Sequence, residues 1–269
     1  MRPRRVNRRT YDSRVAFYVP AGGGRFESTE LTRGPWDTGA QHAGPPAALL
    51  GRAIEQKAPP DLRVARVTFD IARPVPIAPL EVATAVVREG RSVMVVEAAI
   101  EPYLRATAML IRTSPHTAPD VARAGVPPLR LEAAVAKPFF PVPYEVGYHT
   151  AMEVRFEDGS FLEPGPATAW LRMRVPLVAG EQPSPLTRVL VAADTGSGIS
   201  AVLDLRRYVF LNPDYTVHLV RYPAGEWVCL RAATSIDNGG VGLADTGLHD
   251  EEGLVGRCLQ SLVVRPRPA

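Results

Sequence analysis

Gly44-Pro45-Pro46-Ala47-Ala48-Leu49-Leu50-Gly51-Arg52-Ala53-Ile54-Glu55-Gln56 is the stretch on which the reading of this chain turns. Two prolines stand where a helix would begin. Proline is tolerated there because its missing N–H would have no partner in the first turn anyway. Small and apolar residues follow nearly all round, and a helix apolar on every side has to be buried. The spacing predicts a buried helix over 45–56. Four strand-like runs come next, at 64–72, 80–89, 92–101 and 105–112. Arg73-Pro74-Val75-Pro76 breaks the first from the second. Glu89-Gly90-Arg91 reads as a tight hairpin turn in which glycine supplies a positive φ. One buried helix followed by an antiparallel meander makes a compact unit near the lower end of usual domain sizes.

Upstream, 14–20 reads as a strand, 21–24 as a turn, 27–31 as a second short strand and 36–44 as a loop. Downstream, the pattern recurs. Residues 116–145 are rich in Pro and Ala without a clear period and read as a linker. Residues 152–156 and 167–176 look like strands. Ser184-Pro185 can cap and start a second helix, predicted over 184–197. Strands are then expected at 208–211, 215–220, 226–233, 240–249 and 254–264. Strands, one buried helix, then a meander: the order is made twice, as a repeat of pattern and not of identity. The expected division is 1–115, a linker at 116–145, and 146–269. The expected class is α+β, two antiparallel sheets each wrapping a central helix, the double hot-dog arrangement.

Composition bounds the function classes. The 269 residues are 46% hydrophobic and 22% charged, ordinary for a globular protein, and 27 prolines and 22 glycines are spread along the chain as turn punctuation. The net charge is only +3. The one basic cluster, Arg2, Arg4, Arg5, Arg8 and Arg9, reads as a frayed terminus, so no nucleic-acid partner is expected. Cys229 and Cys258 lie far apart among apolar neighbours and read as reduced core thiols. No CxxC or HxxxH spacing suggests a metal. No apolar run is long enough to span a bilayer, and the arginine cluster lacks the apolar region of a signal peptide. A cytoplasmic protein is expected, with a homo-oligomer left open.

Four segments carry a family resemblance: Gln41-His42-Ala43-Gly44-Pro45-Pro46-Ala47-Ala48-Leu49-Leu50; Val67-Thr68-Phe69-Asp70-Ile71-Ala72-Arg73-Pro74-Val75-Pro76; Arg88-Glu89-Gly90-Arg91-Ser92; and Asp250-Glu251-Glu252-Gly253-Leu254-Val255-Gly256-Arg257-Cys258-Leu259-Gln260. In their order and spacing they resemble the acyl-CoA thioesterase II (TesB-like) family and its thioesterase-like relatives, over about residues 30–113 and 165–265. The resemblance implies hydrolysis of an acyl-CoA, or of an acyl carrier thioester, at a site between the halves. There an Asp, a Thr and a Gln hold the attacking water. Asp194 matches the Asp and Gln260 the Gln. The Thr position falls on Asn212, a departure, since an amide offers a different donor and acceptor pattern from a hydroxyl.

Thioester hydrolysis needs a base for the water and donors for the developing oxyanion. Asp194 is the candidate base, since a carboxylate at the end of a buried helix calls for a reason. Gln260 and Asn212 would position the water. His42 would touch substrate or orient its loop, and the Gly44 backbone would help bind the carbonyl, glycine allowing close approach. No metal or redox cofactor is implied. His116, His149 and His249 read as loop or surface residues and His218 as a sheet residue. Two other classes remain beside the hydrolase: an acyl-CoA-binding scaffold that lost the Thr, and a hot-dog enoyl-CoA hydratase suggested by Asn212-Pro213 with Asp214 and His218. Asp-Thr-Gly recurs at Asp37, Asp194 and Asp245, but in surroundings too unlike for the paired lobes of an aspartic protease.

Overall fold

The computed structural model describes residues 15–114, 129–204 and 206–267. The arginine cluster, His116 and the first part of the expected linker lie outside them. The elements in order are β1 (Tyr18–Gly22), β2 (Arg25–Ser28), α1 (Gly44–Lys57), β3 (Leu62–Ile71), β4 (Pro79–Glu81), β5 (Ala83–Glu89), β6 (Val93–Ile100) and β7 (Leu104–Arg112). The second half holds α2 (Tyr148–Ala151), β8 (Met152–Asp158), β9 (Ala167–Met173), α3 (Pro185–Ala193), α4 (Gly196–Ile199), β10 (Tyr208–Leu211), β11 (Asp214–Leu219), β12 (Val228–Ile236), β13 (Val241–Asp250) and β14 (Gly253–Pro266).

The chain is the double hot-dog the repeat predicts. Each half lays one long helix on an antiparallel sheet, and the two sheets join edge to edge. The joined sheet runs β5-β6-β7-β3-β11-β14-β13-β12-β9-β8, with β10 pairing on β14. The seam is the β3–β11 pair, in register Phe69 to Tyr215 and Thr68 to Thr216. Across it the Thr216 hydroxyl meets that of Thr68 at 3.0 Å, and the Phe69 and Tyr215 rings lie 4.6 Å apart.

Local chemistry starts and ends the helices. Ser184 caps α3 by accepting the Thr187 amide at 3.1 Å, with Pro185 in the first turn. Helix α1 begins on Gly44, Pro45 and Pro46 and stops two residues before Pro59, as the residue preceding a proline avoids helical φ and ψ. The helices pack against each other at small residues. A methyl on Gly51 would sit 2.3 Å from Leu190 Cδ1, and one on Gly44 would sit 2.4 Å from the Val191 carbonyl oxygen. Leu49, Leu50, Ile54, Leu186, Val189 and Leu190 are fully buried in one core shared by both halves. Each such side chain contributes about 1.5–3 kcal/mol.

Four expectations change in detail. Residues 80–89 are two strands, because the Val82 amide bonds Gly24 O at 2.9 Å and carries β4 into a separate sheet, β1-β2-β4. Residues 27–31 divide between the end of β2 and a 3-10 turn, Glu30–Thr32. Gly90 turns the β5–β6 hairpin without a positive φ. The second helix breaks after Ala193, where Asp194 ends α3 and Thr195 leads into α4. Among the described residues, no helix is long and apolar enough to cross a membrane.

Candidate active site

The break in the second helix builds the site. Asp194 sits at the carboxyl end of α3, buried, and all around it are donors. Asn212, in the turn between β10 and β11, donates its amide N–H to Asp194 Oδ1 at 2.7 Å. Gln260 reaches up from β14, its Nε2 lying 3.2 Å from the Asp194 carbonyl oxygen and 3.4 Å from Oδ1. Its own oxygen accepts the Ser197 amide at 2.9 Å, which fixes the direction of the side-chain amide. On the other side His42 Nδ1 lies 3.1 Å from Asp194 Oδ2. Three residues, from both halves of the chain, thus converge on one carboxylate.

A second network holds His42. The Gln41 side chain accepts from Tyr18 at 2.5 Å and donates to the Pro76 carbonyl at 2.8 Å, while the His42 amide bonds Thr32 O at 2.7 Å. The imidazole lies flat on the ring of Tyr148, centroids 3.7 Å apart and planes 4° apart. Tyr148 in turn donates to Val191 O at 2.8 Å and contacts the Thr195 hydroxyl at 2.8 Å. Burial lowers the pKa of His42, and the Asp194 carboxylate only partly opposes that shift. Burial raises that of Tyr148; the Thr195 bond opposes the rise and Asp194 adds to it.

Asp194, His42 and Asn212 stand on the wall of a cleft of about 370 Å³. The remaining wall is largely apolar and aromatic, including Trp36, Val75, Phe139, Phe140, Phe161 and Leu211. Phe139 and Phe161 pack edge to face at 4.8 Å, and Trp36 stacks on Phe140 at 6.3 Å. Arg73 and Arg265 also line it. Such a mostly apolar cleft with a few convergent polar groups suits a small organic ligand.

Sequence reasoning placed Asp194, Asn212 and His42 where the structure brings them together. Gln260 and Gly44 belong to the cluster but stand one layer behind the cleft wall. Gln260 is fully buried and clamps Asp194 and Ser197, so it does not reach a water in the cleft directly. Gly44 is buried too, and its amide is aimed at His42 Nδ1 at 3.2 Å instead of into the cleft. What Gly44 provides is the close approach of α1 to Val191. Tyr148, Phe139 and Phe140 were missed; the last two lie in the stretch read as a linker, where an aromatic pair inside a Pro- and Ala-rich segment was the available signal. His249 is buried, contrary to expectation, whereas His218 is exposed on β11 and Asp214 accepts the Ser261 amide at 3.0 Å. Asp245 pairs with Arg257 away from the site. Among the described residues, no group of His, Cys, Asp and Glu is arranged to hold a metal.

The sequence profile described as the acyl-CoA thioesterase N-terminal domain matches residues 32–111, and that described as the acyl-CoA thioesterase C-terminal domain matches residues 126–264. No curated protein matches the chain in sequence. Among solved structures, a candidate thioesterase II from Thermobifida fusca is 18% identical with a TM-score of 0.74, covering 95% of this chain and 98% of that one. A hot-dog protein from Alicyclobacillus acidocaldarius is 16% identical at a TM-score of 0.66, covering 92% and 94%. The acyl-CoA thioesterase II TesB2 of Mycobacterium marinum is 17% identical at 0.64, covering 93% and 96%. At such identities the likeness is one of fold, and the profile matches, which together span most of the sequence, carry the assignment: the chain belongs to the acyl-CoA thioesterase family.

Proposed function

We propose that the protein hydrolyses an acyl-CoA thioester to the free acid and CoA. The observation that carries this reading is a buried carboxylate, Asp194, held by Asn212, Gln260 and His42 at the polar end of an aromatic-lined cleft. The apolar wall suits an acyl group. The arginines Arg73 and Arg265 give the same cleft positive charge for the phosphates of CoA. Water, a base and donors suffice for this reaction, and none of the roles calls for a metal or redox group. The enzyme would work in the cytoplasm, in lipid metabolism.

Free-thiol release from a panel of acyl-CoAs of different chain length tests the proposal. Turnover of at least one is expected, abolished by emptying the site. Binding of acyl-CoA without thiol release from any member of the panel would favour the scaffold reading, for which the replacement of the family Thr by Asn212 is the supporting observation. Hydration of an enoyl-CoA with no thiol released would favour a hydratase.

A further inference from the structure

We infer that His42 is the general base, its Nε2 taking the proton of the attacking water while Asp194 orients the neutral ring from the other side and stabilises the imidazolium that forms. The inference rests on the hydrolase reading above and assigns the proton within that same site. It starts from the state of the Asp194 carboxylate. Oδ1 is taken by Asn212 at 2.7 Å and approached by Gln260 at 3.4 Å, and Oδ2 faces His42 Nδ1 at 3.1 Å. Oδ1 is thus engaged by side-chain amide donors, and Oδ2 has the imidazole as its neighbour. The imidazole, by contrast, lines the cleft, and none of the described residues bonds its Nε2.

The tautomer decides whether Nε2 can act. Nδ1 has two neighbours, the Gly44 amide at 3.2 Å and the Asp194 carboxylate at 3.1 Å. It can accept from the first or donate to the second, not both. Accepting from Gly44 would set a lone pair against an acceptor-only carboxylate. Donating to Asp194 gives a charge-assisted bond, roughly twice as strong as a neutral one. The cost is a Gly44 N–H without its partner, about 1–3 kcal/mol. The carboxylate therefore holds the proton on Nδ1 and leaves a lone pair on Nε2. The flat stack on Tyr148 and the anchored loop at Gln41 fix the ring plane, so the lone pair has one direction.

The reaction then balances with this chain's own groups. Nε2 accepts a proton as the water oxygen bonds to the thioester carbonyl carbon. Asn212 has a second amide hydrogen beyond the one given to Asp194, and it stands on the cleft wall where the carbonyl oxygen gains charge. Collapse of the tetrahedral adduct breaks the C–S bond, and the imidazolium returns its proton to the sulfur as thiol. A threonine hydroxyl has only one hydrogen and could not serve Asp194 and the oxyanion together. Asn212 thus fits a site in which the histidine moves the proton.

The titrating neighbours of the ring are Asp194 from the end of α3 and Tyr148 from α2, with Asp37 and Arg73 on the cleft wall. Burial holds the His42 pKa below its ordinary 6.5, so the free base is the resting form at neutral pH. Activity is present above that pKa and is lost as the pH falls through it.

The test uses the full chain and its fastest acyl-CoA substrate. His42→Gln should lower kcat by about 10²–10³, with KM within a few fold, and should remove the acidic limb of the kcat/KM profile. His42→Ala leaves a ring-sized space over Tyr148, and added imidazole should restore part of its rate. A His42→Gln variant with kcat within threefold of wild type overturns the inference. Loss in both variants with a lowered melting temperature and no imidazole rescue makes His42 a positioning residue and overturns it too. Ring ¹⁵N shifts of His42 are read separately from turnover, in wild type and Asp194→Asn. A wild-type proton on Nδ1 supports the inference, and one on Nε2 overturns it even if no acyl-CoA is cleaved. Absence of thiol release from wild type would instead count against the hydrolase reading.

Discussion

Replacing Gly44 by alanine would add one methyl group where the two central helices meet backbone to backbone. Gly44 does not use a positive φ, so its backbone does not require glycine, and alanine is the better helix former by up to about 1 kcal/mol. The obstacle is the neighbour. The new Cβ would lie 2.4 Å from Val191 O and 3.2 Å from His42 Nδ1. A carbon in contact with a carbonyl oxygen needs about 3.3 Å, so the start of α1 would have to back away from α3 by about 1 Å. The Val191 carbonyl is itself held by Tyr148 at 2.8 Å, so α3 is not free to yield. Such overpacking costs about 1–3 kcal/mol, which exceeds the propensity gain. The same shift would stretch the His42–Asp194 contact from 3.1 Å to about 4 Å, beyond hydrogen-bond reach. Displacements of about 1 Å at a reacting group can cost on the order of 10² in rate. Urea denaturation and thiol release on Gly44→Ala measure both effects. Gly51→Ala is the control: its methyl would meet the end of the Leu190 side chain, which can rotate away, and it lies two turns from the site. It should lose less stability and keep its activity. A Gly44→Ala protein as stable and active as wild type, or an equal loss in both variants, would refute the reasoning.

Asp194→Asn keeps the shape of the site and removes its charge; thiol release should fall by about 10²–10⁴ with the fold intact by circular dichroism, and unchanged turnover would unseat Asp194 from the site. Tyr148→Phe keeps the stack under His42 and deletes the hydroxyl that bonds Val191 and Thr195; urea titration should show a loss of about 1 kcal/mol, with kcat within tenfold. Asp250 is buried: burial alone would raise its pKa, but the Arg221 ion pair and the Ala224 and Glu252 amides outweigh that and hold it below its ordinary 3.8. Its folded value is depressed, so the stability it contributes is present above about 3.8 and lost as the pH falls through the folded value. The urea midpoint should therefore drop more between pH 6 and pH 3 in wild type than in Asp250→Asn.

The helices were legible because their cues are local. Pro45-Pro46 and Ser184-Pro185 mark helix starts by the chemistry of the first turn, and the apolar runs after them admit only burial. Most strands were legible for the same reason, since alternation is a property of neighbours. The errors lie where a distant partner decides. Nothing near Val82 says that its amide will bond Gly24, yet that bond splits one expected strand into two sheets. His249 sits at the end of β13 beside a polar turn, and what buries it is packing from elsewhere in the chain. The β3–β11 seam likewise depends on register between segments about 150 residues apart, which no local pattern encodes.

For the site, the most informative residue was the one that breaks a rule. A carboxylate at the carboxyl end of a helix meets the negative end of the helix dipole, an unfavourable contact of about 0.3–1 kcal/mol, and burial adds to the cost. A sequence that sets Asp194 after Val191, Ala192 and Ala193 therefore implies donors elsewhere in the chain to offset it, though not which ones. The structure supplies them from three separate places: Asn212 from a turn, Gln260 from the last strand and His42 from the loop before α1, with the amino end of α1 directly behind that loop. A structural role alone would be met by burying the whole arrangement. Instead Asp194, Asn212 and His42 open onto an aromatic cleft, while Gln260 and Gly44 stay behind to fix them. Tyr148, Phe139 and Phe140 complete that cleft without any periodicity to announce them, because a loop's aromatic residues acquire a role only from the surface they are folded against. Under the hydrolase reading proposed above, the Asn212 amide can hold the carboxylate and still present a hydrogen to the cleft, whereas a threonine hydroxyl has only one to give.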